Sequence, residues 1–280
     1  MSLSTFPQKS QLYYVKSKIL MKIAISGKGG AGKTLLASFL AQAFTESGYS
    51  VLVVDADPDA NLAATLGFPH PDKIVPIAEM KDLIGERTGA RPGRAEVYFK
   101  LNPKVDDLPE KYWQAHNGIK LMVMGRTKQG GSGCYCSENV LLRALINHLL
   151  LARDEVIIMD MEAGIEHLGR ATASAVDKLI VVVEPSRRSI ETAYKINKLA
   201  QDIGLQKIAV VGNKVRSQAE KEFIISNLPD FEFLGFIPYD QAIVEADLAN
   251  RPLLDASLQV ANEAKNIYHK LVLVTQKQIT

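Results

Sequence analysis

Apolar residues in this chain gather into short, nearly unbroken runs at 21–26, 51–55, 120–124, 156–160, 179–184, 207–211 and 233–237. Most of these runs do not alternate in polarity, as expected of strands covered on both faces. Between them, 137–152, 187–203, 217–227, 240–249 and 257–274 read as helices. Strand and helix in alternation predict an α/β domain over 21–280, built on a single doubly wound, mostly parallel sheet. Ligands of such a sheet bind at the carboxyl ends of its strands. The stretch 68–118 breaks the rhythm. It is rich in Pro, Gly and charge, and reads as an irregular insertion over the ligand-binding face, either functional or a plain surface excursion. Residues 1–20 read as a polar extension, with Met21 a second candidate start. No internal repeat is visible.

Composition narrows the class. With 280 residues, 47% apolar and 23% charged, the chain has an ordinary globular balance. A net charge of +2 without a basic block argues against a nucleic-acid partner. No apolar run approaches the roughly 18 residues of a membrane span, and the N-terminus lacks a secretion signal's charged start and apolar core. The expected setting is the cytoplasm, where thiols stay reduced.

The first apolar run leads into Gly27-Lys28-Gly29-Gly30-Ala31-Gly32-Lys33-Thr34, and ten residues from Leu35 to Phe44 follow at helical spacing without Pro or Gly. Strand, glycine loop and helix in that order match the phosphate-binding pattern G-x-x-x-x-G-K-[ST]. Glycines let backbone N–H groups approach phosphate oxygens, and the helix N-terminus adds partial positive charge. Lys33 is expected on the β- and γ-phosphates and Thr34 on Mg²⁺. Lys28 is a second lysine where one would suffice, and points to a nucleotide shared between two copies of the chain.

Acids close the site. The second run ends in Asp55-Ala56-Asp57-Pro58-Asp59, where Asp57 is the candidate for orienting the attacking water and Asp55 for supporting the magnesium shell; either could instead cap a turn or helix. The run at 156–160 ends in Asp160, placed to hold the magnesium water shell. Gly164 follows, able to offer its N–H to the γ-phosphate and to move when that group leaves. Another run ends in Gly212-Asn213-Lys214. An Asn there can bond the amino group and a ring nitrogen of adenine, which favours ATP.

As a set, the loop, the Asp55-Ala56-Asp57-Pro58 run and the Asp160 strand resemble the deviant Walker A ATPases, which include MinD, ParA, the nitrogenase iron protein and metal-carrier ATPases. The resemblance spans Met21 to about residue 274. It implies that Lys28 contacts the nucleotide of the opposite subunit and that ATP binding drives formation of a homodimer. The segments Asp160-Met161-Glu162-Ala163-Gly164-Ile165-Glu166-His167-Leu168, Val183-Glu184-Pro185-Ser186, Ile237-Pro238-Tyr239-Asp240 and Cys134-Tyr135-Cys136 are similar to the CooC type within that group, the nickel-insertion ATPases of carbon monoxide dehydrogenase. Pro238 joins the nucleotide site by that likeness, and carbon monoxide dehydrogenase or a related nickel enzyme becomes the implied client. Leu35 departs from the pattern, since many relatives carry a second Thr or Ser there. Thr34 still supplies the metal-binding hydroxyl.

The chain's two cysteines, Cys134 and Cys136, follow Gly130-Gly131-Ser132-Gly133. In an extended segment, residues two apart point the same way. Two thiolates make an incomplete zinc site, and a two-fold dimer would bring four together on its axis. Thiolate chemistry alone suggests zinc or an iron–sulfur cluster; nickel is implied by the resemblance. Idle thiols are the bland alternative. His70, His116, His148 and His269 lack partners at metal-ligand spacing, and His167 reads as a loop residue or a relay. Two other functional classes compete: a MinD- or ParA-like positioning ATPase, which would need a membrane helix or basic DNA face, and an iron-protein-like electron donor, whose cluster cysteines lie far apart in sequence.

Overall fold

A computed structural model describes residues 20–57, 61–90, 98–125, 136–165, 168–249 and 251–277. In chain order, the described residues form β1 (Lys22–Gly27), α1 (Lys33–Glu46), β2 (Val51–Ala56), α2 (Leu62–Thr65), α3 (Lys81–Thr88), α4 (Leu108–Tyr112), β3 (Gln114–His116), β4 (Ile119–Val123), α5 (Cys136–Ala152), β5 (Val156–Met161), α6 (Arg170–Ala173), β6 (Lys178–Val183), α7 (Arg187–Asp202), β7 (Ile208–Val215), α8 (Gln218–Asn227), β8 (Glu232–Pro238), α9 (Gln241–Leu248) and α10 (Leu258–Lys277).

These strands make one eight-stranded sheet in the order β3-β4-β2-β5-β1-β6-β7-β8. Every pairing is parallel except β3 with β4. Every residue of β1, β2, β5 and β6 is buried, the physical reason those segments are apolar on both faces. Successive side chains feed opposite cores. Ile23 and Ile25 join Leu36, Leu40, Phe44, Val260 and Ile267 under α1 and α10. Ala24 joins Leu141, Leu145, Ala193 and Ile196 under α5 and α7. β1 lies between β5 and β6, so its carboxyl end opens into the crevice where the chain's winding reverses.

Within 68–118, read from sequence as irregular, the fold places α3, α4 and the edge strand β3. α3 packs against α5, and Arg87 forks onto Asp107 at 2.9 and 2.8 Å, tying α3 to the start of α4. β3 turns into β4 through Asn117 and Gly118, both with positive φ (48° and 79°), the backbone of a two-residue hairpin loop. Three residues with no apolar pattern leave little strand signal for β3.

Candidate functional site: a nucleotide cavity at the carboxyl edge

The loop between β1 and α1 is held from two sides. Gly27 (φ 151°) lies so close to β6 that a β-carbon would strike the Val182 carbonyl. Gly32 (φ 96°) is the residue before α1, and a β-carbon there would strike the Asn213 side chain. Asn213, at 2% exposure, donates its amide to the Ala31 carbonyl at 2.7 Å. Lys214, with a left-handed φ of 58°, donates to the Gly30 carbonyl at 2.6 Å. The end of β7 thus takes up two loop carbonyls, a strut the sequence reading did not assign to either residue.

Four strand ends then converge. Lys33, 6% exposed, places its ammonium 3.6 Å from Asp57. Thr34 donates its hydroxyl to Asp160 Oδ2 at 2.6 Å, while the buried Asp160 Oδ1 has no partner. Burial pushes the Asp160 carboxyl up to about 7; the Thr34 hydroxyl and Lys33 oppose this, and the Asp55 and Asp57 charges add to it. Asp55 is likewise raised by burial, to about 6, although it accepts from the N–H groups of Leu62 and Asp57 at 3.1 and 3.2 Å. It therefore caps the short turn into α2 and lies behind the site. Lys28 is directed elsewhere, with its ammonium 2.6 Å from Glu184 at the end of β6.

A cavity of about 830 Å³ opens above these groups, within the size range of small-molecule sites. Gly29, Gly30, Gly32, Lys33, Thr34 and Leu35 floor it, Asp57 and Asn61 stand on one side, and Asn213, Lys214, Pro238 and Tyr239 on the other. Asn61, Tyr239, Asp240 and Arg251 also line it; Tyr239 and Asp240 entered the sequence reading only within the Ile237-Pro238-Tyr239-Asp240 resemblance, with no role assigned, and no motif marks Asn61 or Arg251. Cys134 and His167 lie outside the described residues. Cys136 begins α5. His116 packs its ring 5.3 Å from Phe68 and His269 lies 5.1 Å from Tyr268.

The CobQ/CobB/MinD/ParA nucleotide binding domain family matches residues 22–253. The chain belongs to that family. Among its relatives, an uncharacterized ATP-binding protein of Methanocaldococcus jannaschii is 46% identical over 256 residues, covering 90% of this chain and 98% of that protein. The carbon monoxide dehydrogenase accessory protein CooC of Rhodospirillum rubrum is 46% identical over 239 residues, covering 85% and 90%. MinD of Pyrococcus horikoshii, solved with Mg-ADP, superposes with a TM-score of 0.63 at 20% identity, covering 92% and 98%. The fold of this family member is therefore that of MinD. As a P-loop ATPase it takes ATP and Mg²⁺, and the donor set fits that ion: a hydroxyl from Thr34 and a buried, half-unpartnered carboxylate from Asp160. Bound there, Mg²⁺ would neutralise charge on the β- and γ-phosphates. No described helix is long and apolar enough to cross a membrane.

Proposed function

We propose that this family member is an ATP-driven, dimerising metal carrier that serves the maturation of carbon monoxide dehydrogenase or a related nickel enzyme in the cytoplasm. What supports the reading is the 46% identity to the accessory protein CooC along 90% of that protein's length, in a chain whose two cysteines form a Cys-x-Cys pair in the sequence, the second of them beginning α5.

Gly29, Gly30, Ala31 and Gly32 offer backbone N–H groups to the phosphates, with Lys33 between them and Asp57. Asp57 orients the attacking water. Asn213, Lys214 and Pro238 border the base. Lys28 leaves Glu184 to meet the nucleotide of a second copy. Closure of two copies brings two Cys134/Cys136 pairs to a common axis, and four thiolates there form a closed site for Ni²⁺ or Zn²⁺, the cargo. Loss of the γ-phosphate loosens the segments at Asp57 and Gly164 and lets the pair separate.

Equilibrium dialysis against Ni²⁺ and Zn²⁺, with and without a non-hydrolysable ATP analogue, tests this. The expected result is about one ion per pair of chains with the analogue, and none in a Cys134→Ser/Cys136→Ser variant whose melting temperature is unchanged. Unaltered metal stoichiometry in that variant overturns the assignment.

A further inference from the structure

Ser26 is the last residue before the phosphate loop. It is fully buried, and no role in nucleotide binding falls to it from the loop pattern. Its hydroxyl points away from the loop and across β1 toward the end of β5. There it donates to two carbonyls of the segment after Asp160: Gly164 O at 2.8 Å and Glu162 O at 3.0 Å. A serine hydroxyl has one proton, so the two carbonyls share it. The same Glu162 carbonyl also accepts the Gly164 N–H at 2.7 Å, a three-residue turn closed on itself.

The surroundings confine any movement to this turn. Met161 before it is buried in β5, and Ile165 and Leu168 after it are buried in the core under α5 and α7. Glu162 and Ala163 at its tip are exposed, whereas Gly164 is buried. In this conformation the Gly164 N–H is taken by Glu162, so it can reach a γ-phosphate only if that turn opens.

We propose that Ser26 is a positioning residue for ATP hydrolysis: its hydroxyl holds the Glu162–Gly164 turn in the conformation that withholds the Gly164 N–H from the nucleotide. A triphosphate, with an anionic group to offer that N–H, opens the turn against the Ser26 bond. A diphosphate has nothing to offer and leaves the turn closed. Because Ser26 is covalently joined to Gly27, loop and switch are coupled through one residue with no intervening side chain. The proposal rests on the chain being an ATPase and is independent of whether it carries metal.

The test is nucleotide discrimination in metal-cargo-free protein, at concentrations where light scattering reports single subunits. Titration calorimetry gives Kd for Mg-ADP and for a non-hydrolysable Mg-ATP analogue in the wild type and in Ser26→Ala. Removing the restraint on the closed turn should raise the ratio of Kd(ADP) to Kd(analogue) by about five- to tenfold, the leverage of one hydrogen bond. Ser26→Cys, with a weaker donor of similar size, should raise it less. A mutation that merely loosened the fold would weaken both nucleotides equally, and an unchanged ratio overturns the proposal. A second measurement needs no variant at position 26. In wild-type protein labelled with ¹⁵N-glycine, the Gly164 amide resonance, assigned by its loss in Gly164→Ala, should move when the analogue replaces ADP. A resonance that stays in place overturns the proposal as well.

Discussion

Asp160 occupies a position that costs it solvation. The carboxyl is 1% exposed, with one oxygen bonded to Thr34 and the other without a partner. Burial raises its folded-state value to about 7, against about 4 in an unfolded chain. The folded protein therefore binds more protons between those values, and stability falls as pH rises through that window. Asp160→Asn keeps an oxygen for Thr34 and removes the ionisation. The expected outcome is a nucleotide-free protein that melts higher than wild type at pH 8, by several degrees, with the advantage gone near pH 4. The same variant should lose Mg²⁺ stimulation of hydrolysis. Thermal scans across pH check the first half, and a variant no more stable than wild type at pH 8 contradicts it. Much of this site was legible beforehand, because Gly27 to Thr34 is a contiguous motif and Asp57 and Asp160 end apolar runs. The struts from Asn213 and Lys214 to the loop carbonyls were not. They join residues more than 180 apart in sequence, and no spacing rule reports that.

At the scale of elements, the opposite end of the sheet is fastened by Glu155, which begins the run into β5. Its side chain, 4% exposed, accepts from Lys120 on β4 at 2.9 Å and from Arg153 at 2.5 Å, and Arg153 continues to Glu110 on α4 at 2.6 Å. Both cations also lie over the Trp113 ring. Burial alone would raise the Glu155 carboxyl; Lys120 and Arg153 outweigh it and hold the group below its usual range. A lowered acid contributes stability above its unfolded value and loses it as pH falls through the folded one. Glu155→Gln should accordingly cost about 2–3 kcal/mol at pH 7, leaving Lys120 without its ion-pair partner and Arg153 with Glu110 alone. The deficit should vanish in strong acid, below the range where the wild-type carboxylate is charged. Urea unfolding at the two pH values measures it, and an equal cost at both would mean that shape rather than charge carries the effect. β3, which completes this edge, was only half legible. Asn117-Gly118 is a strong hairpin signal, but Gln114-Ala115-His116 has no apolar face to announce a strand. It forms because β4 supplies a partner.

At the scale of the whole molecule, the parallel, doubly wound character of the sheet was legible because buried strands carry an apolar surplus that short loops cannot imitate, whereas the order of β2, β5, β1, β6 and β7 was not. Pairing of two copies was only implied, since its decisive contact lies between chains. Within one chain, Lys28 is tied to Glu184 at 2.6 Å, both groups partly exposed (35% and 19%). An ion pair that wet is worth about 0–1 kcal/mol, so a second copy's phosphates, carrying several negative charges, can draw the ammonium away. Glu184 is fixed by its position: its own N–H donates to Ser189, and Ser186 beside it caps α7. The lysine must therefore do the moving. Lys28→Ala should bind ATP within about threefold of wild type, because Lys33 and the loop N–H groups remain. It should also stay a single subunit where wild type pairs, with hydrolysis down by about 10²-fold or more, the loss expected when a charge aimed at the transition state is removed. Light scattering coupled to sizing chromatography in the presence of a non-hydrolysable analogue reads the first effect, and single-turnover kinetics the second. ATP-dependent pairing that survives the substitution would place the contact between copies on some other residue, and would leave Lys28 and Glu184 as no more than an ordinary surface pair.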